Sequence, residues 1–104
     1  MTAKLRIRSL HCSEPATSFG DDIEIFINGI TATGQFPIDQ GQFRDISAQP
    51  FDFAGQAIVG FQEDGDPGGF DVVVPESLVD TGVQRRLVRV KDDGRYELFF
   101  EVFR

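Results

Sequence analysis

The sequence predicts an all-β domain, an antiparallel two-sheet β-sandwich of about eight strands, and three observations carry that expectation. Apolar and polar residues alternate along much of the chain, as in Leu5 and Ile7 against Lys4, Arg6 and Arg8. No stretch sustains the i, i+3, i+4, i+7 apolar stripe of an amphipathic helix over several turns. Turn residues recur at intervals of roughly 8–14 residues, the spacing of short strands joined by tight connections. A small closed β-barrel is the alternative architecture for the same pattern.

The first strand is expected in AKLRIRSLHC. DIEIFING then places Ile23, Ile25 and Ile27 on one face and turns at Asn28-Gly29, a dipeptide suited to the positive φ angles of a two-residue hairpin turn. ITATGQF is the return strand. Beyond residues 37–41 come QFRDIS and the looser AQPFDFAG, where Pro50 argues for a loop or an edge. QAIVGFQ is apolar on both faces, as a central strand would be, and FDVVVP follows it and stops at Pro75. ESLVDTG supports one helical turn, with Glu76 and Ser77 suited to its start and Gly82 to its end. VQRRLVRV and RYELFFEVFR close the chain around a turn at residues 91–94. In the last strand Tyr96, Leu98, Phe100 and Val102 share one face, and Phe99 and Phe103 lie on the other. With no repeat, linker or low-complexity segment, residues 1–104 read as a single domain long enough for a real core.

The chain is 40% hydrophobic, and eleven Phe with one Tyr and no Trp make Phe the aromatic filling of that core. Its 17 acidic and 10 basic residues give a formal charge of −7. That field repels nucleic acid and anionic membrane surfaces, so neither is an expected partner. Lys4, Arg6 and Arg8, and Arg85, Arg86 and Arg89, read as solvated strand faces. Cys12 is the single cysteine, so no intrachain disulfide forms. His11 beside it is expected on the opposite strand face, which argues against a thiol–imidazole pair. MTAKLRIRSL lacks the apolar run of a signal peptide, and no apolar run approaches the roughly 20 residues of a spanning helix, so a soluble protein is expected.

If every strand crosses the full height of the sandwich, successive loops alternate between its two ends. One end then collects Glu14, Asp21, Asp22, Asp39, Glu63, Asp64, Asp66, Asp92 and Asp93, with Lys91 as the expected counter-charge. The other holds Asp52, Glu76 and Asp80. Crowded carboxylates repel one another, which points to a cation. Ca²⁺ suits such loops, because it takes six to eight oxygen ligands at about 2.3–2.6 Å in adaptable geometry, whereas Zn²⁺ favours His and Cys. Within QEDGDPGGFD, Asp64 and Asp66 flank Gly65, and Gly68 and Gly69 let the backbone approach closely. The segment is no EF-hand loop, lacking a ligand at the fifth position, a Glu at the twelfth and flanking helices. A solvated acidic turn is its other reading, since Asp, Gly and Pro are the common turn residues.

A first strand ending in His11-Cys12, GDD entering the second strand, a central strand running into QEDGD, and the last strand YELFFEV together resemble small bacterial sandwich modules related to the C-two-type calcium-binding domains. The likeness spans nearly the whole chain. It implies calcium held between the loop before the second strand and the loop after a central strand, hence at Asp21 and Asp22 on one side and Glu63, Asp64 and Asp66 on the other. The second loop departs from the family pattern, since PGGFDVVVP adds only Asp71.

No catalytic signature is present: G-x-S-x-G and the glycine-rich phosphate loops are missing, and carboxylates in surface turns lack the burial and cleft that acid–base chemistry needs. The expected function is a non-enzymatic binding or assembly module whose acidic loops hold Ca²⁺ and which meets a protein partner or its own copies. The alternative is a metal-independent structural protein, such as a subunit of a self-assembling particle or filament. It draws on Phe99 and Phe103, which alternate with Arg95, Glu97 and Glu101.

Overall fold

The alternation of the first segment builds β1 (Ala3–Glu14), whose Ala3, Leu5 and Ile7 point inward. The computed structural model describes residues 2–46, 48–67 and 71–104, without the side chains of Asp66, Pro67 and Lys91. A bulge after Ile7 shifts the parity of β1, so that Leu10 and Cys12 also face the core. β1 pairs antiparallel with β11 (Arg95–Phe103), from Lys4 opposite Phe103 to Glu14 opposite Arg95. Tyr96, Leu98, Phe100 and Val102 are buried on the inner face of β11, as the periodicity predicts. His11 and Cys12 also separate as expected: Cys12 is buried, while His11 stacks on Phe43 with ring centroids 4.2 Å apart.

The first sheet continues on the far side of β11 with β10 (Gln84–Arg89), and on the far side of β1 with β5 (Phe43–Asp45) and β6 (Phe51–Phe53). The second is centred on β2 (Asp21–Ile27) and β7 (Gln56–Glu63). β3 (Ile30–Thr31) and β4 (Phe36–Ile38) flank β2, while β8 (Asp66–Pro67) and β9 (Val72–Pro75) flank β7. The inner faces meet in one core, Leu5, Ile7 and Phe100 from one sheet and Ile23, Ile25 and Val59 from the other. The sheets share no strand, so the fold is a β-sandwich and the closed barrel is set aside.

Where eight strands are expected, eleven strand segments appear among the described residues, because three of the four sheet edges are each filled by two short pieces. ITATGQF, expected as one strand, divides into β3 and β4 where Ala32 and Thr33 both donate to the Ile25 carbonyl, at 2.8 and 3.2 Å. AQPFDFAG, expected as a loop or an edge, contributes β6 to the edge beside β1. The fourth edge, β10, carries Arg85, Arg86 and Arg89. Broken edges, Pro37 within β4 and arginines on β10 all discourage pairing with a stray strand. The Asn28-Gly29 hairpin forms as expected, with φ of 50° and 79°, and the helical turn expected in ESLVDTG is a 3-10 helix at Glu76–Leu78. No helix among the described residues is long and apolar enough to cross a membrane.

Phe100 is fully buried. Phe100→Ala is expected to cost about 3–5 kcal/mol, read as a lower urea midpoint with an unchanged slope. Phe19 is 95% exposed, and Phe19→Ala should stay within about 0.5 kcal/mol of the parent.

Candidate functional site

Odd-numbered residues of β2 face the core, so Asp21, its first residue, points inward beneath Ile23. β7 alternates likewise and ends at Glu63, directly opposite Ile23. Asp21 and Glu63 are each 3% exposed, which corrects the expectation that these acids lie in surface turns. Asp64 and Gly65, with φ of 51° and 81°, form the two-residue turn that joins Glu63 to Asp66. The backbone of QEDGD is thus an ordinary hairpin. Its turn is tied to the start of β2: the Asp64 N–H donates to the Asp22 carbonyl at 2.8 Å, and the Asp22 N–H donates to Asp64 Oδ1 at 3.1 Å. Asp21, Glu63 and Asp64 each contribute a carboxylate oxygen to a triad in which these atoms lie within 4.8 Å of one another.

The two buried carboxylates have opposite circumstances. Asp21 Oδ2 accepts from the Ala16 N–H at 2.8 Å and from the Tyr96 hydroxyl, and Asp21 Oδ1 accepts from the Thr17 N–H at 3.1 Å. The loop that supplies these amides turns back at Gly20, where φ is +88° and a Cβ would sit 3.0 Å from the Ile38 carbonyl oxygen. Burial, and then the Asp21 carboxylate, push the Tyr96 phenol well above its ordinary pKa, which keeps it a donor. Burial likewise raises the Cys12 thiol, an inert core residue. Glu63 Oε1, by contrast, is buried with no hydrogen-bond partner among the described residues. Its burial, followed by the facing Asp64 and Asp21 carboxylates, pushes the Glu63 pKa up to about 8. A proton or a cation relieves this arrangement.

Of the five ligands expected from the sequence, the structure brings together Asp21, Glu63 and Asp64. Asp22 is exposed on the other face of β2 and outside the triad. The Asp66 side chain, and Gly68 and Gly69, lie outside the described residues. Asp71 lies near Gly60, its Oδ1 3.3 Å from where a Cβ there would sit. The expectation that Lys91 alone balances this end is corrected. Arg89 pairs with Asp93 at 2.6 Å, and Arg95 approaches Glu14 at 3.9 Å and Asp93 at 4.0 Å. These arginines draw off the peripheral acids. Tyr96, which the sequence places only in the core, turns out to anchor Asp21; the signal available was that a buried phenol needs a partner.

A cleft of about 580 Å³ opens beside the triad. Asp21 and Asp64 form part of its wall, together with Phe19, Asp22, Asp39, Gln42 and Arg44, whereas Glu63 does not line it.

Because the folded-state pKa of Glu63 lies above its ordinary value of 4.5, the group's contribution to stability is complete below that value and is lost as pH rises towards about 8. In EDTA the melting temperature is therefore expected to fall between pH 5 and pH 8 by several degrees. Glu63→Gln, which cannot ionise, should flatten that part of the profile and melt above the parent at pH 8. No protein-family model matches the chain, and no curated protein matches it in sequence.

Proposed function

We propose that the chain is a non-enzymatic binding or assembly module whose acidic end holds Ca²⁺ between Asp21, Glu63 and Asp64. The observation that carries this reading is the buried Glu63 Oε1, without a hydrogen-bond partner among the described residues, in a triad with two further carboxylates. Leaving an acceptor without a partner in the interior is costly, and a cation between the three groups removes both that cost and their mutual repulsion. The donors are all hard oxygens, which favours Ca²⁺ or Mg²⁺ over Zn²⁺. Three carboxylates set by a hairpin and a strand end suit the adaptable shell of Ca²⁺ better than the strict octahedron of Mg²⁺. Asp66 stands next to the triad in sequence and belongs to the same proposed ligand region, whereas Asp22, on the other face of β2, does not. Kinship with the C-two-type modules is part of this proposal, because the triad joins the start of the second strand to the end of a central one.

A second, metal-independent reading as a structural subunit has its own support on the outer face of the first sheet. Phe43 stacks on His11, Phe99 lies 6.1 Å from Phe43 between ring centroids, and Arg6 sits 5.0 Å over Phe103. A row of this kind suits contact with a protein partner or a second copy.

Melting curves in EDTA, in about 1 mM CaCl₂ and in MgCl₂ test the leading reading. Ligand at roughly 100 times its Kd adds about 2.7 kcal/mol to the native state, so calcium should raise the melting temperature by several degrees and magnesium by less. The double variant Glu63→Gln with Asp64→Asn should lose the response. No shift in the parent, with mass in solution rising with protein concentration, would favour the metal-independent subunit instead.

A further inference from the structure

We infer that a divalent ion in the triad has open coordination positions facing the adjoining cleft and binds there the vicinal hydroxyls of a saccharide, an inference that rests on the metal reading above. Glu63 closes the triad on the core side, being buried and absent from the cleft wall, with no hydrogen-bond partner for its Oε1 among the described residues. Asp21 and Asp64 belong to both the triad and the cleft, so an ion that they share is reached from the cleft. Three carboxylates leave part of the six to eight oxygen positions of Ca²⁺ unfilled, and a pair of neighbouring hydroxyls fills two of them without adding charge.

The rest of the cleft fits a neutral ligand dense in hydroxyls. Asp22 and Asp39 supply acceptors. Gln42 accepts the Asp39 N–H at 2.8 Å through its Oε1, which leaves its amide nitrogen to donate, and Arg44 adds further donors. An anionic ligand would meet the aspartates, and a cationic one would compete with the ion itself. Phe19, 95% exposed at the cleft, adds a bare aromatic face on which the C–H face of a pyranose can stack.

Isothermal titration with methyl α-D-mannopyranoside and methyl α-D-galactopyranoside, each in CaCl₂ and in EDTA, tests the inference. Binding of at least one sugar in calcium and of neither in EDTA is expected. Phe19→Ala, at an exposed position where folding is not at stake, should weaken that binding about tenfold while leaving the calcium melting shift unchanged. A calcium melting shift with no sugar binding, or sugar binding that persists in EDTA or is unaffected by Phe19→Ala, would overturn the inference and leave the metal reading standing. Calcium-dependent binding to phosphatidylserine vesicles with no binding of either sugar would overturn it in favour of a lipid headgroup. Absence of the calcium shift itself would remove the metal reading, and this inference with it.

Discussion

The pairing of β1 with β11 organises the sandwich. These two strands form the middle of the first sheet, and every other strand of that sheet is attached to one or the other. Their inner faces supply Leu5, Ile7, Leu10, Leu98 and Phe100, all at or near complete burial. The same ladder sets the height of Tyr96, opposite Cys12, from which the phenol reaches across to Asp21 of the second sheet. One end of an otherwise apolar core is thus pinned by a polar contact, and the direction of the loop before β2 follows, because Ala16 and Thr17 must also present their amides to that carboxylate.

The consequence is an asymmetry between two neighbouring acids. Asp21 has three donors, a set that compensates burial of a carboxylate. Glu63 arrives at the same place by the alternation of β7 and, among the described residues, finds two more carboxylates instead of donors. A sequence selected for stability alone has many ways to end a strand without an acid there, and the cost borne at Glu63 is what makes the position a candidate for the proposed cation site. The sheet edges show the opposite economy: their breaks, the proline in β4 and the arginines of β10 restrain unwanted pairing and leave the acidic end as the distinctive surface.

Much of the fold was legible because strand parity is a local property. Ile23, Ile25 and Ile27 and the inner face of β11 can be read directly, and so can the Asn28-Gly29 turn. The bulge beside Arg8 and the divided edges could not be read, since both arise from registers with distant strands. At the site, the acidic end was visible from loop order, but loop order places backbones and says nothing of side-chain direction. Alternation carried two residues back from Ile23 already separates Asp21 from Asp22, and carried two residues forward from Phe61 it turns Glu63 inward. The hydrogen bond between Tyr96 and Asp21 spans 75 residues and left no local trace, and neither did the approach of Arg95 to Glu14, whereas the pairing of Arg89 with Asp93 is an i, i+4 contact that the sequence does carry.

Terbium luminescence addresses the triad most directly. Tb³⁺ takes oxygen ligands much as Ca²⁺ does, and the chain has one Tyr and no Trp, so tyrosine excitation selects Tyr96. The Tyr96 hydroxyl bonds Asp21, which places the donor beside any ion held there. Sensitised emission that Ca²⁺ competes away, and that Glu63→Gln with Asp64→Asn abolishes, is the predicted result. Absence of sensitised emission, or emission unchanged in that double variant, would contradict a cation at Asp21, Glu63 and Asp64.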